Sequence, residues 1–181
     1  MAVKITYFVH GTTTDNEKGL ATGWLPGELS AKGAEQSKKL REQVDGQKFD
    51  VVFCSDLKRA VDSATLAFGD SYKIIQDKRL REINYGDLNG QPSQKFKRRL
   101  LDYVDSPFPN GESYKDVEKR IAEFLQLLKE NYNGKQVAIV AHQAPQLALE
   151  VLLNGKSWAK AMAEDWRRIK AWQPGWAYII E

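Results

Sequence analysis

The run Val3-Lys4-Ile5-Thr6-Tyr7-Phe8-Val9 is β-branched and aromatic, and it stops at His10-Gly11-Thr12. Such a run reads as a buried strand, and in an open α/β sheet the ligand sits in the crevice beyond the carboxyl ends of the strands. A histidine directly after the strand therefore points at the default site. The chain holds 2 histidines. The other, His142, follows a run of the same kind, Gln136 to Ala141. Two histidines, each at the exit of an apolar strand, suggest a paired imidazole site.

Further elements follow in order. Thr12 to Gly19 is polar and reads as a loop over the strand end. Ser30 supplies an N-cap for a helix through Gln36, Leu40 and Val44, and Phe49 to Cys54 reads as a second strand. Ser55-Asp56 is expected to cap a helix with Leu57, Ala60, Val61 and Ala64 on its apolar side. A short strand over 72–75 leads into Leu80 to Gly90, a mixture of apolar anchors, polar residues and glycines of the sort that carries function.

A helix is expected from Ser93 to Tyr103, a turn at Pro107 to Gly111, and a helix from Ser113 to Tyr132 with Val117, Ile121, Phe124, Leu125 and Leu128 on one stripe. After His142 comes a helix through Leu147 and Val151. Ser157 to Lys170 reads as helical, Trp172 to Gly175 as a turn, and Trp176 to Ile180 as a closing strand. Strands alternating with helices imply a three-layer α/β sandwich, a largely parallel central sheet with helices on both faces.

At 181 residues the expectation is one domain over 1–181. The 42% hydrophobic and 28% charged composition is that of an ordinary soluble globular chain. A nucleic-acid binder would carry a stronger, clustered basic excess than a net +3, which fits an anionic small molecule better. The single cysteine, Cys54, allows no internal disulfide and reads as a buried small hydrophobe. Met1 to Lys4 runs straight into the first strand without a leader pattern, so a cytoplasmic protein is expected. The apolar stretch Val137 to Leu153 is broken by His142, Gln143, Pro145, Gln146 and Glu150, which a membrane span would not carry.

The strand ends together hold His10, Ser55-Asp56 with Arg59 one turn into a helix, and His142 at a helix start. A helix N-terminus suits a phosphate, and a guanidinium fork matches phosphate oxygens. One histidine could carry a phosphoryl group covalently while the other donates to an equatorial oxygen. Glu82 is a candidate general acid for the leaving alkoxide. The tryptophans Trp158, Trp166, Trp172 and Trp176 read as packing residues. Neither metal-ligand spacing nor a Walker-type glycine loop appears, so neither metal nor cofactor is expected.

These residues resemble the histidine phosphatase superfamily in its phosphoglycerate-mutase-like branch, over essentially the whole chain. The resemblance rests on Val9-His10-Gly11 with Asn16, Ser55-Asp56-Leu57-Lys58-Arg59-Ala60, Leu80-Arg81-Glu82, Gly111-Glu112-Ser113 and Ala141-His142-Gln143, in that order. It implies a phosphoglycerate-mutase-like fold and a phosphohistidine mechanism. His10 would be the nucleophile, His142 and Arg59 would hold the phosphoryl group, Asn16 would assist and Glu82 would donate the proton. Gly11, Thr12 and Gln143 would complete the substrate contacts.

The family's first arginine is Val9 here, and its glycine after the second histidine is Gln143. Losing a buried arginine to phosphate costs about 2–5 kcal/mol. Gln143 could return part of this through its amide. The implied activity is a metal-independent phosphatase acting on a small phosphorylated metabolite. A weakened phosphoester-binding regulatory domain and a phosphoglycerate-type mutase stand as alternatives. Lys95, Lys97, Arg98 and Arg99 lie in the short insertion after Gly90, where a solvated face and a cavity-facing set are both open readings.

Overall fold

Alternate residues of a strand face opposite sides of a sheet, and here both sides are apolar, so each face must be covered. The computed structural model describes residues 1–69, 71–169 and 175–181. Its strands are β1 (Val3–Val9), β2 (Val51–Cys54), β3 (Ile74–Gln76), β4 (Gln136–Ala141) and β5 (Trp176–Ile180), arranged β3-β2-β4-β1-β5. All neighbours are parallel except β5, which runs antiparallel to β1. The largely parallel sheet expected from the sequence is the one observed.

Ile5, Tyr7, Phe53, Val137 and Ile139 point to one face, where they meet Val117, Ile121, Phe124 and Leu128 of α4 (Tyr114–Asn131) and Leu147 of α5 (Gln143–Asn154). Phe8, Val52, Cys54, Ala138 and Val140 point to the other, against Val44 of α2 (Ala31–Val44) and Ala64, Ala67 and Phe68 of α3 (Lys58–Phe68). Each fully buried aliphatic or aromatic side chain contributes about 1.5–3 kcal/mol, so the two faces together fix the strand register. Cys54 sits in the second cluster, and burial pushes its thiol up to about 12.

The register of β1 on β4 places the site. Val9 pairs with Ala141, and the His10 N–H donates to the Ala141 carbonyl across 3.0 Å. His10 and His142 thus leave adjacent strands side by side. Among the described residues no helix is long and apolar enough to cross a membrane.

Several local expectations change. The polar segment after His10 contains a one-turn helix, α1 (Thr14–Glu17), because the Thr13 side chain accepts the Asn16 N–H and the Asn16 side chain accepts the Thr13 N–H. Ser55-Asp56 does not cap α3. Leu57 occupies the N-cap without a side-chain bond, Ser55 Oγ accepts the Leu57 N–H, and Asp56 is taken by Arg81 at 2.6 and 2.7 Å. Ser93 to Tyr103 is not one helix but two 3-10 segments, Ser93–Lys95 and Lys97–Tyr103, with Arg99 outside helical geometry at φ −117°.

The expected helix from Ser157 divides into α6 (Trp158–Ala163) and α7 (Trp166–Ile169). Asp165 causes the break, accepting the Arg167 N–H at 3.0 Å on its own side chain. Lys170 and the turn expected at Trp172 to Pro174 lie outside the described residues.

Candidate active site

A cavity of about 560 Å³ opens beyond the carboxyl ends of β1 and β4, and His10, Asn16, Arg59, Glu82 and Gln143 all reach its wall. His10 Nδ1 lies 2.7 Å from the Gly11 carbonyl. A carbonyl only accepts, so Nδ1 carries the proton and Nε2 keeps its lone pair. Burial, followed by the Arg59 charge, pushes His10 down from 6.5 to about 3, with the Gly11 carbonyl acting in the opposite sense. The imidazole is therefore neutral at any ordinary pH.

His142 is the residue before α5, and its side chain makes no capping bond. Its ring is fully buried, both ring nitrogens lack a partner among the described residues, and its centroid lies 5.0 Å from that of His10. Burial, then Arg59 and His10, hold it well below the usual histidine range. Tyr7 pins its peptide: Tyr7 Oη donates to the His142 carbonyl at 2.7 Å and accepts the His142 N–H at 3.0 Å. His142 is not on the cavity wall itself and meets the site through His10. Unsatisfied buried nitrogens are uncommon in a folded protein, so this ring stands out among the described residues.

Arg59 is 2% exposed, and its guanidinium donates to the carbonyls of Gly23 (2.7 Å), Leu25 (2.8 Å) and Pro26 (3.4 Å). Among the described residues no carboxylate lies within ion-pair distance of it. This buried cation is anchored by neutral carbonyls, with the Glu82 charge acting on it only through space. The Glu82 carboxylate accepts the N–H groups of Ile83 (3.0 Å), Ala144 (2.9 Å) and Gln143 (3.2 Å), so it sits on the N-terminus of α5. Arg120 fixes that segment from below, donating to the carbonyls of Arg79, Arg81 and Glu82 and pairing with Glu112.

With this arrangement in view, residues 7–174 match the histidine phosphatase superfamily, branch 1. The chain belongs to that superfamily. It is 30% identical over 74% of its length to the adenosylcobalamin/α-ribazole phosphatase of Escherichia coli K12, covering 70% of that protein. It is 31% identical over 81% of its length to the 2,3-bisphosphoglycerate-dependent phosphoglycerate mutase of Methylorubrum populi, covering 76% of that protein. The crystal structure of the α-ribazole phosphatase from Shigella flexneri superposes with a TM-score of 0.78 at 27% identity, over 88% of this chain and 84% of that one.

Within this member of the superfamily the remaining candidates divide. Gly11 and Thr12 are on the cavity wall, but their N–H groups are spent inside the protein, on Ser63 Oγ at 3.0 Å and Gln36 Oε1 at 2.9 Å. They hold the strand exit in place. Asn16 spends its carbonyl oxygen on the Thr13 N–H, so the group it has left for a ligand is Nδ2. Gln143 lines the cavity and gives one N–H of its amide to Asp165 Oδ2, which leaves its second N–H as the donor the sequence suggested.

Of the four basic residues after Gly90 only Lys97 reaches the cavity wall. Lys95 bonds Gln91, and Arg99 pairs with Asp102. Asp165, Trp166 and Arg167 also line the cavity; the sequence read Trp166 as packing and marked neither Asp165 nor Arg167 as a site residue. Among the described residues no three His, Cys, Asp or Glu side chains cluster to hold a metal.

Proposed function

We propose that the chain is a metal-independent phosphatase that hydrolyses a small phosphorylated metabolite through a phosphohistidine on His10. The observation that carries this is the Nδ1 contact to the Gly11 carbonyl, which leaves Nε2 unprotonated within the field of Arg59. The Nε2 lone pair attacks phosphorus, the P–O bond to the alcohol breaks, and the leaving alkoxide takes a proton from Glu82. Water then attacks the phosphohistidine, gives its proton to Glu82 and releases inorganic phosphate. Arg59, the ring of His142 and Asn16 Nδ2 hold the equatorial oxygens, where charge grows in the transition state.

The test is rapid-quench labelling with a phosphorylated substrate panel in the absence of added metal. The expected product is an acid-labile, base-stable phosphoryl adduct that disappears in His10→Ala, together with phosphate release. Release of phosphate from no substrate, with no adduct at high protein concentration, would favour the phosphoester-binding domain. Return of the phosphoryl group to a second hydroxyl faster than to water would favour the mutase that some relatives are named for.

A further inference from the structure

A phosphoryl group leaves two negative charges to be met, and the residues already placed around it supply one. His10 and His142 are neutral, and Arg59 donates to loop carbonyls on one side. The strand residue before His10 is Val9, which lines the cavity and has no charge to give. The second cation on the wall near the histidines is Arg167, from α7.

Arg167 is held as a ligand-binding arginine is held. Its backbone N–H and its Nη1 both donate to Asp165 Oδ1, at 3.0 and 2.9 Å, and its guanidinium lies over the Trp166 ring with Cζ 4.7 Å from the centroid. Asp165 in turn takes the Gln143 amide on Oδ2, which ties α7 to the start of α5, one residue past His142. The Asp165 side chain is 1% exposed, whereas that of Arg167 is 23% exposed. The carboxylate is thus saturated and turned into the protein. Among the described residues Nη1 to Asp165 is the only side-chain hydrogen bond that Arg167 makes, so most of its five N–H donors remain for an anion.

Resting on the phosphatase reading above, we infer that Arg167 is a second phosphate-binding guanidinium, locked in place by Asp165 and stacked on Trp166, that meets the phosphoryl group from the side opposite β1. Asp165 and, through it, Gln143 are positioning residues. The same placement accounts for the direction of the field at His10, which Arg167 joins Arg59 in pushing away from protonation. The substrate class follows: a phosphomonoester presented as a dianion, with its alcohol directed toward Lys97 and the apolar wall at Phe96 and Leu100.

The experiment measures orthovanadate affinity and melting temperature on the full chain and on Arg167→Gln and Arg167→Lys. Glutamine retains a donor for Asp165 and a planar group on Trp166 but removes the charge. Arg167→Gln should bind vanadate about ten- to a hundredfold more weakly, with its unliganded melting temperature lowered only by the loss of the Asp165 pair, and Arg167→Lys should recover part of both losses. Vanadate affinity in Arg167→Gln within twofold of the parent overturns the inference. So does a loss that comes with a lower melting temperature and that lysine leaves uncorrected, which marks a structural role. Labelling of His10 on the same proteins separates the two claims. A parent that forms the adduct while vanadate binding ignores Arg167 sinks only the role of Arg167, and a parent that neither labels nor binds vanadate sinks both.

Discussion

His10 and His142 follow directly on Val9 and Ala141, the last paired residues of two parallel strands, and their rings approach to 5.0 Å between centroids at a tilt of 59°. Two imidazoles this close, His142 buried and His10 half-buried, both within the field of Arg59, are held neutral by the same surroundings. Charging either would place like charges together away from water.

That neutrality sets a pH dependence. In the unfolded chain each histidine takes up a proton near pH 6.5, while in the folded chain His10 does so only at about 3 and His142 well below 6.5. Below about pH 6.5 the unfolded state binds more protons, so the stabilisation is present above that pH and is lost on acidification through the window toward 3. Each group contributes a slope of at most about 1.4 kcal/mol per pH unit. The melting temperature should fall from pH 7 to 5, and less steeply in His142→Gln. Equal slopes in parent and variant would count against it. Over the same range kcat/KM should show no acid limb at 6.5, because the nucleophile stays unprotonated.

Gly11→Ala should cost both stability and turnover. A Cβ there would lie 2.3 Å from the Gly33 carbonyl oxygen, a backbone atom of α2 that cannot swing aside. The expected cost is about 3 kcal/mol, or about 6–12 °C in melting temperature. The carbonyl that fixes the His10 tautomer belongs to the same residue. Hydrolysis should therefore fall even at temperatures where the variant is folded. A variant as stable and as active as the parent would show that the loop relaxes freely.

Much of this was legible in the sequence for a physical reason. β1, β4 and β5 are apolar runs whose periodicity depends on the sheet alone, and the helix after Ser113 carries its apolar stripe within its own turns. What escaped depends on contacts distant in sequence. Asp56 looked like a helix cap because Arg81, its partner, lies 25 residues away. That one N–H of the Gln143 amide is taken by Asp165 was hidden because Asp165 lies 22 residues on. Ser93 to Tyr103 looked helical by its spacing, but Phe96 is drawn into a cluster with Tyr85 and Phe108 that bends the backbone. The sequence singled out the histidines, Arg59 and Glu82 because they end strands or follow motifs; Arg167, on the same cavity wall as His10, Arg59 and Glu82, does neither and was passed over.

Glu82→Gln should separate proton donation from architecture. The amide oxygen can still accept the Ile83 and Ala144 N–H groups, while Nε2 would face the Gln143 N–H, donor against donor. A stability loss of about 1–2 kcal/mol follows. Alkyl phosphates, whose leaving alkoxide needs a proton, should lose about 10²–10⁴ in kcat/KM. Aryl phosphates with acidic phenols should lose less than about tenfold, since the leaving group departs unprotonated. Equal losses on both classes would remove Glu82 from the role of acid and leave it as the cap of α5.

Val9→Arg tests whether the cavity is limited by charge or by room. Val9 is half-buried at the end of β1 and lines the same cavity as Arg59 and Arg167, so a guanidinium there would reach the anion from the strand side. In the empty site it would add a third cation to a confined space, and the unliganded melting temperature should drop slightly. With vanadate bound the balance reverses, because a ligand that prefers the folded state stabilises it by RT ln(1 + [L]/Kd). The vanadate-induced rise in melting temperature should therefore exceed that of the parent, with affinity about tenfold tighter. In the Arg167→Gln background the same substitution should restore most of the lost binding, since either arginine supplies the second charge. A lower melting temperature that vanadate does not recover, in both backgrounds, would mean that the wall around Val9 has closed over the space a guanidinium needs.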